Sequence, residues 1–287
     1  YHDALPIYDE IGNIDGTRLI SKILAQELHL ADAVCTCSPD LKCKMAAHAA
    51  HRLVVSFISG EYEKMNDSER RKFCGKLDLS VCFTAEDIFE AYKRAVRKHK
   101  LALVKVYPIP GPKMVFQGDE RADLSYFKFF RKFSDGPEPG LKEKGYEPGM
   151  SAFLDSKLNS VKVSDKYSYI NEAVKRYVSD LNFLCSQNIA LSSGHIEKTI
   201  ADFNSDVHAV HTKKIYNEIF SVSNFSNASY SKNYGIMFPK GRWREAVNSN
   251  GTKYAGSGEY LNENSIQEQF SYISLGAYSI AFFAKIS

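Results

Sequence analysis

Cations and aromatic rings occur together at three places in this sequence. Lys93, Arg94, Arg97, Lys98 and Lys100 crowd one basic segment. Phe127, Lys128, Arg131 and Lys132 interleave rings with charge in SYFKFFRKF, and Lys240, Arg242, Trp243 and Arg244 repeat the mixture in KGRWRE. Lys and Arg neutralise phosphates and give a salt-dependent affinity, while Phe, Tyr and Trp offer faces on which any base can stack. The chemistry this combination implies is binding of single-stranded nucleic acid, with RNA favoured, and these residues are its candidate contacts.

Charge supports the same reading because it is segregated. The stretch 93–133 holds eleven Lys/Arg against three acids, a net of +8, whereas the whole chain is only +3 and the remainder therefore sums to −5. Part of the first cluster has an ordinary explanation, since a helix C-terminus favours cations. The remaining excess is the electrostatic footprint expected of a polyanion partner.

Other residue sets could do different chemistry. His208 and His211 lie three apart and, on a helix, would be neighbours; with Lys213 or Glu218 they could serve acid/base work. Glu259 lies within, and Glu268 follows, the glycine-rich run GTKYAGSGEY, which lacks the strand, spacing and helix of a dinucleotide site. Cys35, Cys37, Cys43, His48 and His51 are of metal-ligating kind, but C-x-C with a five-residue gap matches no standard zinc knuckle, so no metal or other cofactor is assigned. The sequence holds no H-E-x-x-H, no G-x-S-x-G and no kinase set. An enzyme of toxin or effector type and a protein-interaction module stand as the alternatives to nucleic-acid binding.

The elements that would position these groups read as mainly helical. Thr17 opens a pattern through Ile20, Leu24 and Leu28; Ser38 and Pro39 start a helix running to about Ser59; Asn66 or Ser68 opens a short polar helix; and Thr84 with Asp87 forms a capping box for a helix to about His99. LALVKVYPIPG and KMVFQG read as a hairpin, and ADLSYFKFFRKF as a helix. SDKYSYINEAVKRYVSDLNFLCSQ is a long amphipathic helix, GHIEKTIADFN and SDVHAVHTKKIYNEIF a further helical pair, and SIQEQFSYISLGAYSIAFFAKI an apolar terminal helix.

The expected fold is therefore mainly α: two helical lobes with a small β-hairpin element and irregular C-terminal loops. An N-terminal arm (1–16) precedes a helical lobe (17–134), a linker or mobile loop (135–150) and a second lobe (151–287). Such an architecture suits a nucleocapsid or coat protein that polymerises along single-stranded RNA, forming a homo-oligomer through its arm or its C-terminal helix. No run reaches the ~20 apolar residues that span a bilayer. Six cysteines are too sparse for a disulfide scaffold, which favours an intracellular, cytoplasmic setting. The N-x-S/T sequons at Asn66, Asn224, Asn227 and Asn250 pull against that setting.

Overall fold

Helix-start chemistry dominates the first part of the chain. The described residues of the computed structural model are 19–33, 39–115, 118–124, 164–266 and 269–286, the side chains of 39–44 excepted. The arm at 1–16, the loop at 135–150 and the aromatic run at 127–133 lie outside them. The helices are α1 (Leu19–Glu27), α2 (Leu30–Ala33), α3 (Pro39–Ile58), α4 (Glu61–Lys64), α5 (Asp67–Lys76), α6 (Ala85–Val104), α7 (Asp165–Gln187) and α8 (Ile189–Ser193). Asn66 caps α5, its side chain accepting from the Glu69 amide at 3.1 Å while Glu69 accepts from the Asn66 amide at 2.8 Å. Thr84 and Asp87 exchange the same pair of bonds at the start of α6. These reciprocal bonds satisfy amides that a helix start leaves without partners. No helix among the described residues is long and apolar enough to cross a membrane.

The described residues divide into two compact units, with the division inside α6 after Ala95 and inside α7 after Tyr167. In the first unit α1 lies against α3. The buried side chains include Ile20, Leu24, Leu53, Val54, Ile88 and Tyr92. The Phe57 ring sits 4.7 Å from that of Tyr167 and 5.8 Å from that of Phe89. Tyr62, fully buried, donates its hydroxyl to the Phe83 carbonyl at 2.5 Å.

The second unit departs most from expectation. Its chain folds into seven strands: β1 (His195–Asp202), β2 (Val207–Lys214), β3 (Asn217–Asn224), β4 (Tyr230–Met237), β5 (Arg242–Asn248), β6 (Phe270–Leu275) and β7 (Ser279–Ile286). Five form an antiparallel sheet in the order β1-β2-β3-β7-β5, and β4 pairs with β6 in a separate antiparallel two-stranded sheet. One face of the large sheet offers Ile219, Ile280, Phe282 and Val247 to Leu101, Val104, Tyr177 and Leu181 of α6 and α7. The other face offers Phe220, Val222, Phe283 and Trp243 to Ile236, Phe238, Ile273 and Leu275 of the small sheet and its flank. The large sheet is thus covered on both sides, by helices and by a hairpin-like second sheet.

This corrects the mainly α expectation. SDVHAVHTKKIYNEIF is the β2–β3 hairpin, GHIEKTIADFN supplies β1, and the supposed apolar terminal helix is β6 and β7. The physical reason is double burial. Most residues of β3 and β7 are buried whichever face they point to, so the alternation that marks a half-exposed strand is absent and a continuous apolar run is left, which periodicity cannot tell from a helix. The β2–β3 turn hides its signal as well: Ile215, not Gly or Asn, takes the left-handed conformation there, at φ 54. Conversely, Leu101–Val104, expected as a strand, completes α6, because its leucines and valine continue the buried stripe of that helix.

Both outer strands of the large sheet are irregular. The β1–β2 register shifts between Ile196 and Lys198, and the β5–β7 register shifts between Glu245 and Val247. Each strand also carries exposed charge, from Glu197 and Lys198 on β1 and from Arg242 and Arg244 on β5.

Candidate functional site

Among the described residues, the candidate nucleic-acid contacts do not assemble into a solvated strip. On α6, Lys93 pairs with Glu90 at 2.5 Å and Arg94 with Glu27 at 2.7 Å. Arg97 is partly buried, and the Lys98 ammonium lies 4.4 Å from the centre of the Tyr278 ring. Lys100 is wholly buried and donates to the carbonyls of Ser249 and Tyr254, both at 2.7 Å. The helix continues beyond these residues to Val104, so the cluster is not its C-terminal turn. Trp243 is fully buried and donates its indole N–H to the Pro239 carbonyl at 2.8 Å, which leaves no free face for a base. Lys240, Arg242 and Arg244 are exposed around it, with Arg242 donating to the Ser265 hydroxyl at 3.3 Å. Phe127, Lys128, Arg131 and Lys132 lie outside the described residues, as do Cys35, Cys37 and Glu268 and the side chain of Cys43. His51 is buried, and burial pulls its imidazole down to about 3, so it is neutral. Among the described residues no group of three or more His, Cys, Asp or Glu is placed to hold a metal ion.

The acid/base candidates are brought together, though by a hairpin and not by a helix. Pairing of β2 with β3 sets Lys213 opposite Glu218 and His211 opposite Phe220. His211 and Lys213 therefore share a face with Glu218, since alternate residues of a strand point the same way. His211 Nε2 lies 2.9 Å from one Glu218 oxygen; the other accepts from Lys285 of β7 at 2.7 Å, with Lys213 3.9 Å away. His211 and Glu218 are buried, and the His211 ring stands edge-on to Trp243 at 5.9 Å. Burial lowers the His211 imidazole despite its carboxylate partner. Burial also acts to raise Glu218, but Lys285 and His211 outweigh it and leave the carboxyl below its usual range. His208 points elsewhere, packed between the rings of Phe203 and Phe225.

This arrangement is closed on itself. The carboxylate meets three cationic or donor groups, which suits a buried charge that must be neutralised. A carboxylate so engaged has little capacity left to move a proton for a substrate.

A second polar network, with no pattern in the sequence to announce it, fixes the loop after β5. Glu245 accepts from the Asn262 amide N–H at 3.1 Å, from Asn262 Nδ2 at 2.7 Å and from Asn248 Nδ2 at 2.9 Å. Burial raises its carboxyl in spite of these donors. Asn250 donates to the Glu259 carbonyl at 2.7 Å, so the glycine-rich run is held as a structural loop. Lys100 reaches into the same loop. Burial, with Arg97 nearby, lowers its ammonium to about 7. The only signal available beforehand was the density of Asn, Ser and Gly between 248 and 262, which marks a loop but not its bonding. Two of the sequon asparagines, Asn224 and Asn250, prove to be buried and hydrogen-bonded side chains of this kind.

A family model described as the alpha amylase C-terminal all-beta domain matches residues 208–285, a span that begins in β2 and ends in β7. Comparison with curated proteins finds no match. Among solved structures, AmyP in complex with maltose is 17% identical over 66% of this chain and 35% of its own, with a TM-score of 0.41. The isomaltulose synthase SmuA from Protaminobacter rubrum is 14% identical over 67% of this chain and 38% of its own, and the trehalulose synthase MutB 16% identical over 66% and 38%, both with a TM-score of 0.39. This chain thus covers well under half of the length of each. The likeness to these structures is loose; the match over 208–285 is what overturns the nucleocapsid reading, its RNA partner and its viral setting. The homo-oligomer expected through a C-terminal helix falls with that helix, whose residues form strands of the chain's own sheets. The region from β2 to β7 is similar to an amylase C-terminal β-domain.

Proposed function

We propose that residues 195–286 serve as the C-terminal β-domain of a carbohydrate-active protein of the α-amylase kind, with α-linked glucan as the substrate class. The observation that carries this reading is the family match over 208–285, a span that begins in β2 and ends in β7, the two strands that flank β3 in the large antiparallel sheet. The polar chemistry of the domain fits a supporting role and not a catalytic one. The buried acid/base cluster around Glu218 is neutralised internally, and the β5 carboxylate, Glu245, is spent on holding Asn248 and Asn262. The domain's part is then to pack as a rigid block and to contact glucan at its surface.

The test is native gel electrophoresis of the purified chain through gels containing amylopectin, with β-linked hydroxyethyl cellulose as the comparison polymer. Retardation by amylopectin alone is the expected outcome. Equal mobility in both gels and in plain gels would overturn the reading.

A further inference from the structure

The small sheet has a face that neither core uses. Along β4, Tyr230, Tyr234 and Ile236 turn inward, and along β6 Ile273 and Leu275 do the same. The residues between them leave the sheet on the opposite side. Pairing sets Gly235 opposite Tyr272 and Met237 opposite Phe270, so these four share the outer face, and all are exposed: Tyr272 by 63% and Phe270 by 50%. The two rings are 5.4 Å apart and nearly perpendicular, at 82°. They meet over Gly235. A Cβ at that position would lie 2.8 Å from Phe270 Cζ and 3.3 Å from Tyr272 Cε1, closer than a side chain tolerates. The missing Cβ is therefore what lets the rings form a corner over bare backbone. Asn233, also exposed, precedes Gly235 by two residues.

This corner has a definite chemical character. It carries no charge at 233, 235, 237, 270 or 272, so it lacks the cations that a phosphate-bearing ligand needs. It is a few side chains across, far short of the roughly 20–30 residues a side in a stable protein interface. An aromatic face with a second ring edge beside it and an amide at its margin suits a flat, neutral molecule with C–H groups on its face and hydroxyls around its rim. A pyranose ring has that form.

We propose that Phe270, Tyr272 and Gly235 form a stacking site for one glucose ring of an α-glucan chain, with Asn233 placed to hydrogen-bond its hydroxyls. This inference rests on the α-amylase reading above for the class of sugar, and on the ring geometry for the place.

The experiment measures maltoheptaose binding by titration calorimetry and by saturation-transfer NMR on the full chain. Comparison is with Tyr272→Ala, Phe270→Ala, Gly235→Val and, as a control on another exposed ring, Phe203→Ser. The expected result is at least a tenfold weaker affinity for the first three variants and an unchanged affinity for the control. Thermal midpoints close to that of the unsubstituted protein verify that each variant folds; Gly235 is not at positive φ, so its backbone accepts a side chain. If the unsubstituted chain binds maltoheptaose and the Tyr272 and Phe270 variants bind equally well, the site lies elsewhere and only this inference falls. If the unsubstituted chain binds neither maltoheptaose nor amylopectin, the functional reading falls and the inference with it. Concentration-dependent dimerisation abolished by the same substitutions would assign the corner to a second copy of the chain and overturn the sugar site.

Discussion

Lys100 and Glu218 are both buried charges of the second unit, and they are held in opposite ways. Glu218 is surrounded by groups of opposite or complementary kind: Lys285, Lys213 and His211. Lys100 has two carbonyl oxygens and the face of the Tyr177 ring, 5.8 Å away, but no carboxylate among these contacts. Asp180 of α7, which also meets this loop, is taken by Lys253 and the Tyr254 hydroxyl. The paired group keeps its charge, with its carboxyl below the usual range. The group held by dipoles alone is driven toward neutrality, to about 7. Carbonyl dipoles satisfy the hydrogen bonds of an ammonium, but they do not replace the solvation of its charge.

The largest effect expected from this contrast is a pH dependence traced to Lys100. The unfolded side chain keeps its proton up to about 10.5, whereas the folded one loses it near 7. Between those values the unfolded state binds more protons, so stability rises with pH; below about 7 both states are protonated and the rise is absent. From pH 7 to 9 the gain is about 2 kcal/mol. Urea unfolding over that range will show it, and Lys100→Met, which cannot titrate, will flatten it. An unchanged slope in Lys100→Met would locate the dependence in another group.

At the paired site the perturbation must be chemical. Glu218→Gln leaves Lys285 and His211 facing a neutral amide and is expected to cost about 2 kcal/mol, below the range for a fully buried pair because Lys285 retains some solvent contact. Adding Lys285→Met to that variant should recover part of the loss, and a double-mutant cycle from urea midpoints measures the coupling directly. Additive losses would mean that the two side chains do not interact. The smallest effect is reserved for His211→Gln. Burial lowers its imidazole, and an amide that still donates to Glu218 should cost less than about 1 kcal/mol, read from urea midpoints. A loss as large as that of Glu218→Gln would show that the imidazole does more than make this one hydrogen bond.

The sequence disclosed its helices far better than its strands, for reasons visible in single residues. Asn66, Thr84 and Asp87 make local bonds within four residues, and α3 begins at Pro39 as its preceding Ser-Pro pair implies. Strands β3 and β7 owe their apolar runs to layers supplied by distant parts of the chain, the helices on one side and Ile236, Phe238 and Ile273 on the other. No window of the sequence contains that information. The same distinction applies at the polar sites. His211, Lys213 and Glu218 stood out by type and were given the wrong geometry, since three residues apart on a helix is not the same neighbourhood as facing positions on a hairpin. Lys285 was missed altogether because it comes from the far end of the chain. Lys100 was read as one of a row of surface cations. Its neighbours Lys93 and Arg94 meet carboxylates, Glu90 one turn away and Glu27 of α1, and only the loop at 248–254 distinguishes Lys100 from them.

The irregular margins of the large sheet have a consequence for how this protein behaves at high concentration. A sheet edge is a template onto which another extended chain can hydrogen-bond. On β1 the register breaks beside Glu197 and Lys198, and on β5 it breaks beside Glu245, with Arg242 and Arg244 on the same strand. A dislocated ladder cannot zip for more than a few residues, and the charges oppose a like strand brought alongside. The doubly covered, strongly apolar strands β3 and β7 are thereby kept to the middle of the sheet, with both borders closed to recruitment and to the fibrillar stacking such sequences would otherwise invite.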